Sequence, residues 1–135
     1  MSGLSEQEQL EWRLLAEKST NDDFRRALFV NPPEYYSYFK KEHHTELEIM
    51  RWELEQIRSS DVVLLNLDGI NDSVGTHIEL GYINAINSTQ PKTIFVVAFG
   101  GNDFKSLHPW IRESIFRHEP TMNAAINYIV DYILL

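Results

Sequence analysis

Residues 60–87 read SDVVLLNLDGINDSVGTHIELGYINAIN, and this stretch decides the fold. It opens on a continuous apolar run at 62–65, which is typical of a strand covered on both faces of a parallel sheet. A loop rich in aspartate, asparagine and glycine follows, and a helix after it carries Glu79 in its first turn. This order predicts that the loop lies at the carboxyl end of a parallel strand, where open α/β sheets bind ligands.

Strands and helices alternate along the rest of the chain. Apolar runs at 27–30 and 93–99 predict two further buried strands, and residues 115–116 predict a short edge strand. Apolar residues at helical spacing predict helices over about 5–18, 45–59 and 121–133, and a short helix starts at His108. The alternation predicts one α/β domain over 1–135, a three-layer sandwich with a mainly parallel, flavodoxin- or Rossmann-like sheet of four to five strands.

Composition narrows the classes of function. The formal charge is −8 and the basic residues form no stripe, which argues against binding to nucleic-acid phosphates. The chain has no cysteine, so disulfide and thiolate chemistry and zinc ribbons are excluded. Its apolar runs have strand length and its N-terminus has no apolar leader, so we expect no membrane partner and a cytoplasmic location.

Three carboxylates of the central stretch, Asp61, Asp72 and Glu79, are predicted to converge on one small cavity that forms the active site. Glu79 has apolar neighbours, so its carboxylate is expected to be partly dehydrated and stabilised by the positive end of the helix. The small residues Gly81 and Ala85 predict that this face of the helix packs closely. Such a carboxylate can attack an electrophilic sugar carbon while a second acid protonates the departing base.

Other interpretations of these acids remain open at this point. Asp61 can bond backbone amides at a strand end, Asp68 begins a turn dipeptide, and Asp72 can cap the helix. The spacing alone does not separate glycosyl chemistry from a phosphatase-like or a purely structural role. His43 and His44 are adjacent, and because neighbouring side chains point in different directions we predict no metal site there.

The central stretch resembles the nucleoside 2-deoxyribosyltransferase family, which includes related nucleoside 5′-monophosphate N-glycosidases. The resemblance rests on SDVVLLNLDG at 60–69 and on the loop and helix sequence DSVGTHIELGY at 72–82. It extends to the first helix, to the Asn-Pro-Pro segment at 31–33, to His-Pro-Trp at 108–110 and to the last helix. Nearly the whole chain is therefore covered by the resemblance.

The resemblance implies cleavage or base exchange at the N-glycosidic bond of 2′-deoxyribonucleosides or their 5′-monophosphates, in nucleotide salvage. Glu79 would form a covalent glycosyl ester, Asp61 would assist as acid or sugar-binding group, and Asp72 would be the third catalytic carboxylate. The positions expected to bind the substrate are Asn66, Asp68, Ser73, Gly75, Thr76, Tyr35 and Tyr36. For the two tyrosines, a core or lid role is equally plausible. The family resemblance also implies no metal or organic cofactor, and a homodimer or higher homo-oligomer in which a neighbouring subunit completes the site.

The chain departs from the family pattern in two places. Six residues before Glu79, where nucleoside-processing members have an aspartate that holds the sugar, this chain has Ser73, with Asp72 one residue earlier. Serine there resembles the monophosphate hydrolases and favours a nucleotide substrate, unless Asp72 substitutes through a shifted loop. The family usually begins with a strand and a glycine-bearing loop before the segment at 2–4. Either the natural product is longer, or this protein lacks that strand.

Two non-catalytic functions are the alternatives. A nucleotide-binding or sensing module of the same fold would bind nucleotides without releasing base, and the absent first strand favours this alternative. A structural subunit of a phage or mobile-element assembly would neither bind nucleotides nor release base.

Overall fold

Strand β2 (Phe95–Phe99) lies at the centre of the computed structural model, which describes residues 45–101 and 103–134. It pairs with β1 (Val62–Asn66) on one side and with β3 (Arg117–Glu119) on the other, both in parallel. Val97 and Ala98 in its middle are completely buried, because neighbouring strands and helices cover both edges and both faces. The predicted α/β class and mainly parallel sheet are therefore confirmed.

Within the described residues the sheet has three strands, not the four to five predicted for the chain. The strand predicted at 27–30 lies outside the described residues. The edge strand predicted at 115–116 forms two residues later, at Arg117–Glu119. There the Phe116 N–H donates to the carbonyl oxygen of Val96 at 2.9 Å and starts the pairing. Sequence reasoning missed these strand residues because Arg-His-Glu carries no apolar pattern.

Helices cover the two faces of the sheet. On one face lie α1 (Glu46–Arg58), α2 (Val74–Thr89) and α3 (Pro109–Glu113). Their side chains Ile57, Leu80, Ile83, Ile86 and Ile111 pack with Val63, Leu65 and Val96 of the sheet. On the other face, α4 (Met122–Tyr128) continues into the π-helical segment Ile129–Ile133. Its residues Ala125, Ile129 and Ile133 pack with Val62, Leu64, Val97 and Phe99, which confirms the three layers.

The helix starts follow from local capping. Thr45 accepts the N–H of Glu48 at the start of α1, and Thr121 accepts the N–H of Ala124 at the start of α4. His108 caps α3, with a proline as the first helical residue, where no N–H is needed. These starts were predicted from sequence and are confirmed.

Helix α1 has an exposed apolar stripe in its first half. Leu47 is 50% exposed and Met50 is 40% exposed, whereas Leu54 and Ile57 near the end of the helix are half-buried. At that end, the side-chain hydrogen bond from Arg58 lowers the pKa of the Glu55 carboxyl. In the part of the chain that the structure describes, no helix is long and apolar enough to cross a membrane.

We expect graded truncation of Ile83, which is 1% exposed against the sheet, to cause graded losses of stability. Ile83→Val should lower the free energy of unfolding by about 0.5–1.5 kcal/mol and Ile83→Ala by about 2–5 kcal/mol, because the second leaves a larger cavity. Urea denaturation followed by circular dichroism measures both values. Equal, small losses for the two variants would contradict the packing described here.

Candidate functional site

The loop between β1 and α2 lies at the carboxyl edge of the sheet and is folded into consecutive tight turns. The N–H of Ile70 donates to Leu67 O, that of Asp72 to Gly69 O, and that of Ser73 to Ile70 O, at 3.1–3.2 Å. Leu67 and Ile70 are buried against Ala98, so the loop is anchored to the sheet. It therefore delivers the start of α2 to the edge where parallel α/β sheets bind ligands, as predicted.

The first turn of α2 presents backbone amides without a side-chain cap. Ser73 occupies the cap position but is 1% exposed, and its hydroxyl donates to Thr76 Oγ1 at 2.5 Å instead of capping the helix. Asp72, which was a candidate cap, is exposed and precedes the cap position. Uncapped amides at a helix start attract anions. Gly75 and Thr76, both half-buried, are therefore better placed for ligand contact than the buried Ser73 side chain.

Glu79 lies in the second turn of α2, which corrects its predicted place in the first turn. It is half-buried, between Ile78, which is 50% exposed, and Leu80, which is 4% exposed. The carboxylate therefore sits where the helix passes from solvent to core. The distance of Glu79 from the helix start weakens the effect of the helix dipole on its carboxylate.

The close packing predicted at Gly81 and Ala85 does not occur within the described residues. Both residues are exposed, and a Cβ added at Gly81 would meet no atom of the described residues within 4 Å. The buried face of α2 consists instead of Leu80, Ile83 and Ile86. Small size alone did not indicate which side of the helix faces the sheet.

Asp61 does not join the other predicted acids. It is exposed and precedes β1, and its carbonyl oxygen accepts the N–H of Phe95 at 3.0 Å, at the amino end of the sheet. Because a strand rises about 3.3 Å per residue, Asp61 lies roughly 20 Å from Leu67. The predicted convergence of the three carboxylates is therefore wrong for Asp61. Asp72 and the loop that leads to Glu79 belong to the opposite edge.

The loops after β1 and β2 meet at this carboxyl edge. Asn66 Oδ1 accepts the N–H of Asp68 at 3.0 Å, and Asp68 Oδ1 accepts the N–H of Gly101 at 2.9 Å. Gly100 and Gly101 have φ values of +76° and +72°, which residues with a side chain rarely adopt. The sequence analysis did not include the two glycines in the site, although paired glycines after a predicted buried strand were a usable signal.

Glu53 of α1 is a half-buried acid that the sequence analysis did not place in the site. Among the acids of the described residues, Glu53, Glu79 and Glu119 are half-buried and the others are exposed. Glu119 forms an ion pair with Arg117, with 2.9 Å between Oε1 and Nε. Glu53 lies one helical turn before Ile57, which packs with the core residues of α2. That spacing of four residues from a core side chain was the signal that could have identified it.

Some residues that the sequence analysis discussed lie outside the residues that the structure describes. Tyr35, Tyr36 and the pair His43 and His44 are not among residues 45–101 and 103–134. Within those residues, no group of three or more histidine, aspartate or glutamate side chains is arranged to hold a metal ion.

The model of the nucleoside 2-deoxyribosyltransferase family matches residues 12–121 of this chain. The chain belongs to this family. The match includes α1 to β3 and the whole loop before α2, so membership covers the candidate site as well as the fold. Membership supports a function of the nucleoside deoxyribosyltransferase type, in nucleotide metabolism. No curated protein and no solved structure matched the chain.

Alanine substitutions at two glycines should act in opposite directions. Gly100→Ala places a Cβ 3.0 Å from Asp68 Oδ1 at a positive φ, so it should lower the free energy of unfolding by at least about 1–2 kcal/mol. Gly81→Ala, in the open interior of α2, should raise it by about 0.5–1 kcal/mol. Urea denaturation measures both. A Gly100→Ala variant as stable as the unmodified protein would show that the two loops do not meet as described.

Proposed function

We propose that this protein cleaves or exchanges the N-glycosidic bond of a 2′-deoxyribonucleoside or its 5′-monophosphate. The observation that carries the proposal is the half-buried Glu79, one turn behind an uncapped helix start at the carboxyl edge, in a member of this family. A carboxylate partly removed from water is a suitable nucleophile for an electrophilic sugar carbon.

In the proposed reaction, a Glu79 oxygen bonds to C1′ of the sugar while the bond from C1′ to the base nitrogen breaks. The base leaves with the bonding electrons and takes up a proton. Water or a second base then attacks C1′ and releases Glu79, which gives hydrolysis or transfer respectively. Two displacements at the same carbon retain its configuration.

The proton for the departing base comes from an acid at the carboxyl edge or on the helix beside α2, not from Asp61. Asp72 is carried there by the loop, and Glu53 is the half-buried acid of α1. Both are candidates for the general acid: Asp72 because it lies in the loop before α2, and Glu53 because α1 and α2 lie on the same face of the sheet.

The uncapped amides of Val74, Gly75 and Thr76 are proposed to hold the 5′ end of the substrate, as helix starts do for phosphate groups. Thr76 accepts the hydroxyl of Ser73, so its own O–H is available to donate to the substrate. In this proposal Ser73 acts through Thr76, because its own side chain is buried.

Removing the proposed nucleophile should abolish turnover. Glu79→Gln should reduce base release by roughly a thousand-fold or more, as loss of a covalent nucleophile does in other enzymes. Chromatography of free base, with a panel of 2′-deoxynucleosides and their monophosphates, measures the effect. Glu113→Gln changes an exposed acid of α3 and is the matched control, which should keep full activity. Undiminished release by Glu79→Gln would refute the mechanism.

Asp61→Asn should keep base release within about three-fold of the unmodified protein, because this side chain lies at the opposite edge of the sheet. A general acid typically contributes about 10²–10⁴-fold, so a loss of that size would return Asp61 to the site and contradict the geometry. Asp72→Asn and Glu53→Gln, measured in the same assay, identify the proton donor.

The sensing module remains the second proposal, and the same panel separates it from the enzyme. Nucleotide binding in calorimetry with no release of base by the unmodified protein would support the sensor. Neither binding nor release would support a structural subunit.

We also propose a homo-oligomer. Exposed apolar side chains of two helices that lie on the same face of the sheet support it: Leu47 and Met50 on α1, and Val74 and Ile78 on α2. Light scattering coupled to size-exclusion chromatography should give at least twice the chain mass of 15.8 kDa. A monomer mass across the concentration range of the experiment would contradict this expectation.

A further inference from the structure

Three hydrogen bonds connect the carboxyl ends of all three strands. From β3, His118 Nε2 lies 2.9 Å from the carbonyl oxygen of Gly100, which follows β2. The next residue, Gly101, donates its N–H to Asp68 Oδ1 at 2.9 Å. Asp68 donates its own N–H to Asn66 Oδ1, at the end of β1, at 3.0 Å. The chain of bonds therefore runs from β3 across the sheet to β1, and it includes the carboxylate of Asp68, which is exposed.

His118 is held as a hydrogen-bond donor. A carbonyl oxygen can only accept, so Nε2 of the ring must carry the hydrogen. The half-buried ring stacks on Phe104 with 4.5 Å between centroids and 10° between planes. Phe104 packs in turn against the core that contains Leu67 and Ile70, so the donor has a fixed direction.

The two glycines leave no spare room between the loops. A Cβ at Gly100 would lie 3.0 Å from Asp68 Oδ1, and one at Gly101 would lie 3.2 Å from Leu67 Cβ. A side chain at Gly100 would therefore press on the Asp68 carboxylate, and one at Gly101 on Leu67. Oδ1 of Asp68 is occupied by the Gly101 N–H, while Oδ2 has no hydrogen-bond partner among the described residues. The hydrogen bond thus fixes the carboxylate and leaves one oxygen to accept from a ligand.

We propose that His118 is a positioning residue. Through Gly100 and Gly101 it holds the Asp68 carboxylate so that Oδ2 accepts a hydrogen bond from a hydroxyl of the substrate sugar. The identity of the ligand rests on the proposed function, whereas the link from His118 to Asp68 rests on the distances alone. A hydroxyl donating to a carboxylate is among the stronger hydrogen bonds in proteins, so a displaced Asp68 should weaken substrate binding measurably.

Two substitutions of His118 separate positioning from stability. His118→Leu removes the donor, whereas His118→Gln keeps an N–H that can reach the Gly100 carbonyl. With the deoxynucleoside or deoxynucleotide that the unmodified protein turns over best, His118→Leu should raise KM about ten-fold and change kcat by less than about three-fold. His118→Gln should stay within about three-fold of the unmodified protein in both constants. If His118→Leu lowers Tm but leaves KM unchanged, the link is structural only and the proposal is overturned.

The proposed contact between Asp68 and a sugar hydroxyl is tested with a double variant and with substrate analogues. Asp68→Ala should raise KM about as much as His118→Leu, and the double variant should show no further rise, because both changes remove one contact. Substrate analogues that lack the 3′- or the 5′-hydroxyl identify which group Asp68 binds. For that analogue, the unmodified protein and His118→Leu should bind equally. Fully additive effects, or a His118→Leu effect that persists with both analogues, would overturn the proposal.

A measurement without turnover separates this inference from the proposed reaction. If the unmodified protein binds deoxynucleosides but releases no base, the reaction is refuted and the positioning of Asp68 is still measured by affinity. In that case His118→Leu should raise the calorimetric Kd about ten-fold and accelerate amide hydrogen exchange at Gly101, and His118→Gln should do neither. Unchanged Kd in His118→Leu, or no nucleoside binding by the unmodified protein, would overturn the inference.

Discussion

The parallel pairing of β1 with β2 is the interaction on which the rest of the structure depends. It places Asn66 beside Phe99 and so brings the loops that follow both strands to one edge of the sheet. The Leu67 N–H extends this pairing by donating to the Phe99 carbonyl at 2.9 Å. Because a parallel strand must be followed by a crossover, the same pairing places α2 against the sheet and its N-terminus at that edge.

The candidate site combines rigid and accessible parts. Buried Leu67, Ile70 and Ser73 fix the loop, so the exposed Asp68 and the uncapped amides of α2 have defined positions. The hydrogen bonds between the two loops use backbone groups of Gly100 and Gly101. A side chain added at either glycine would contact Asp68 or Leu67. Rigid support behind exposed polar groups is what orientation of a small substrate requires.

Family membership and local geometry contribute different parts of the functional proposal. Membership supports chemistry of the nucleoside deoxyribosyltransferase type. The geometry places Asp61 away from the other predicted acids and makes Glu53 a candidate for the general acid. In the proposed function, the role predicted for Ser73 passes to its hydrogen-bond partner Thr76. A residue at a family motif position is therefore a candidate for the family's role only where the fold places it at the carboxyl edge of the sheet.

The sequence by itself determined the α/β class, the parallel sheet, the helix starts within the described residues and the edge that carries the candidate site. These depend on local patterns, since apolar runs, capping residues and turn residues act over a few neighbouring positions. Only the tertiary structure decided which acids share an edge, which side of α2 is buried, and that β3 forms from Arg-His-Glu. The reason is that these outcomes depend on distances between segments far apart in the chain. His118 reaches Gly100 across 18 positions, and Gly101 reaches Asp68 across 33, which no local pattern records.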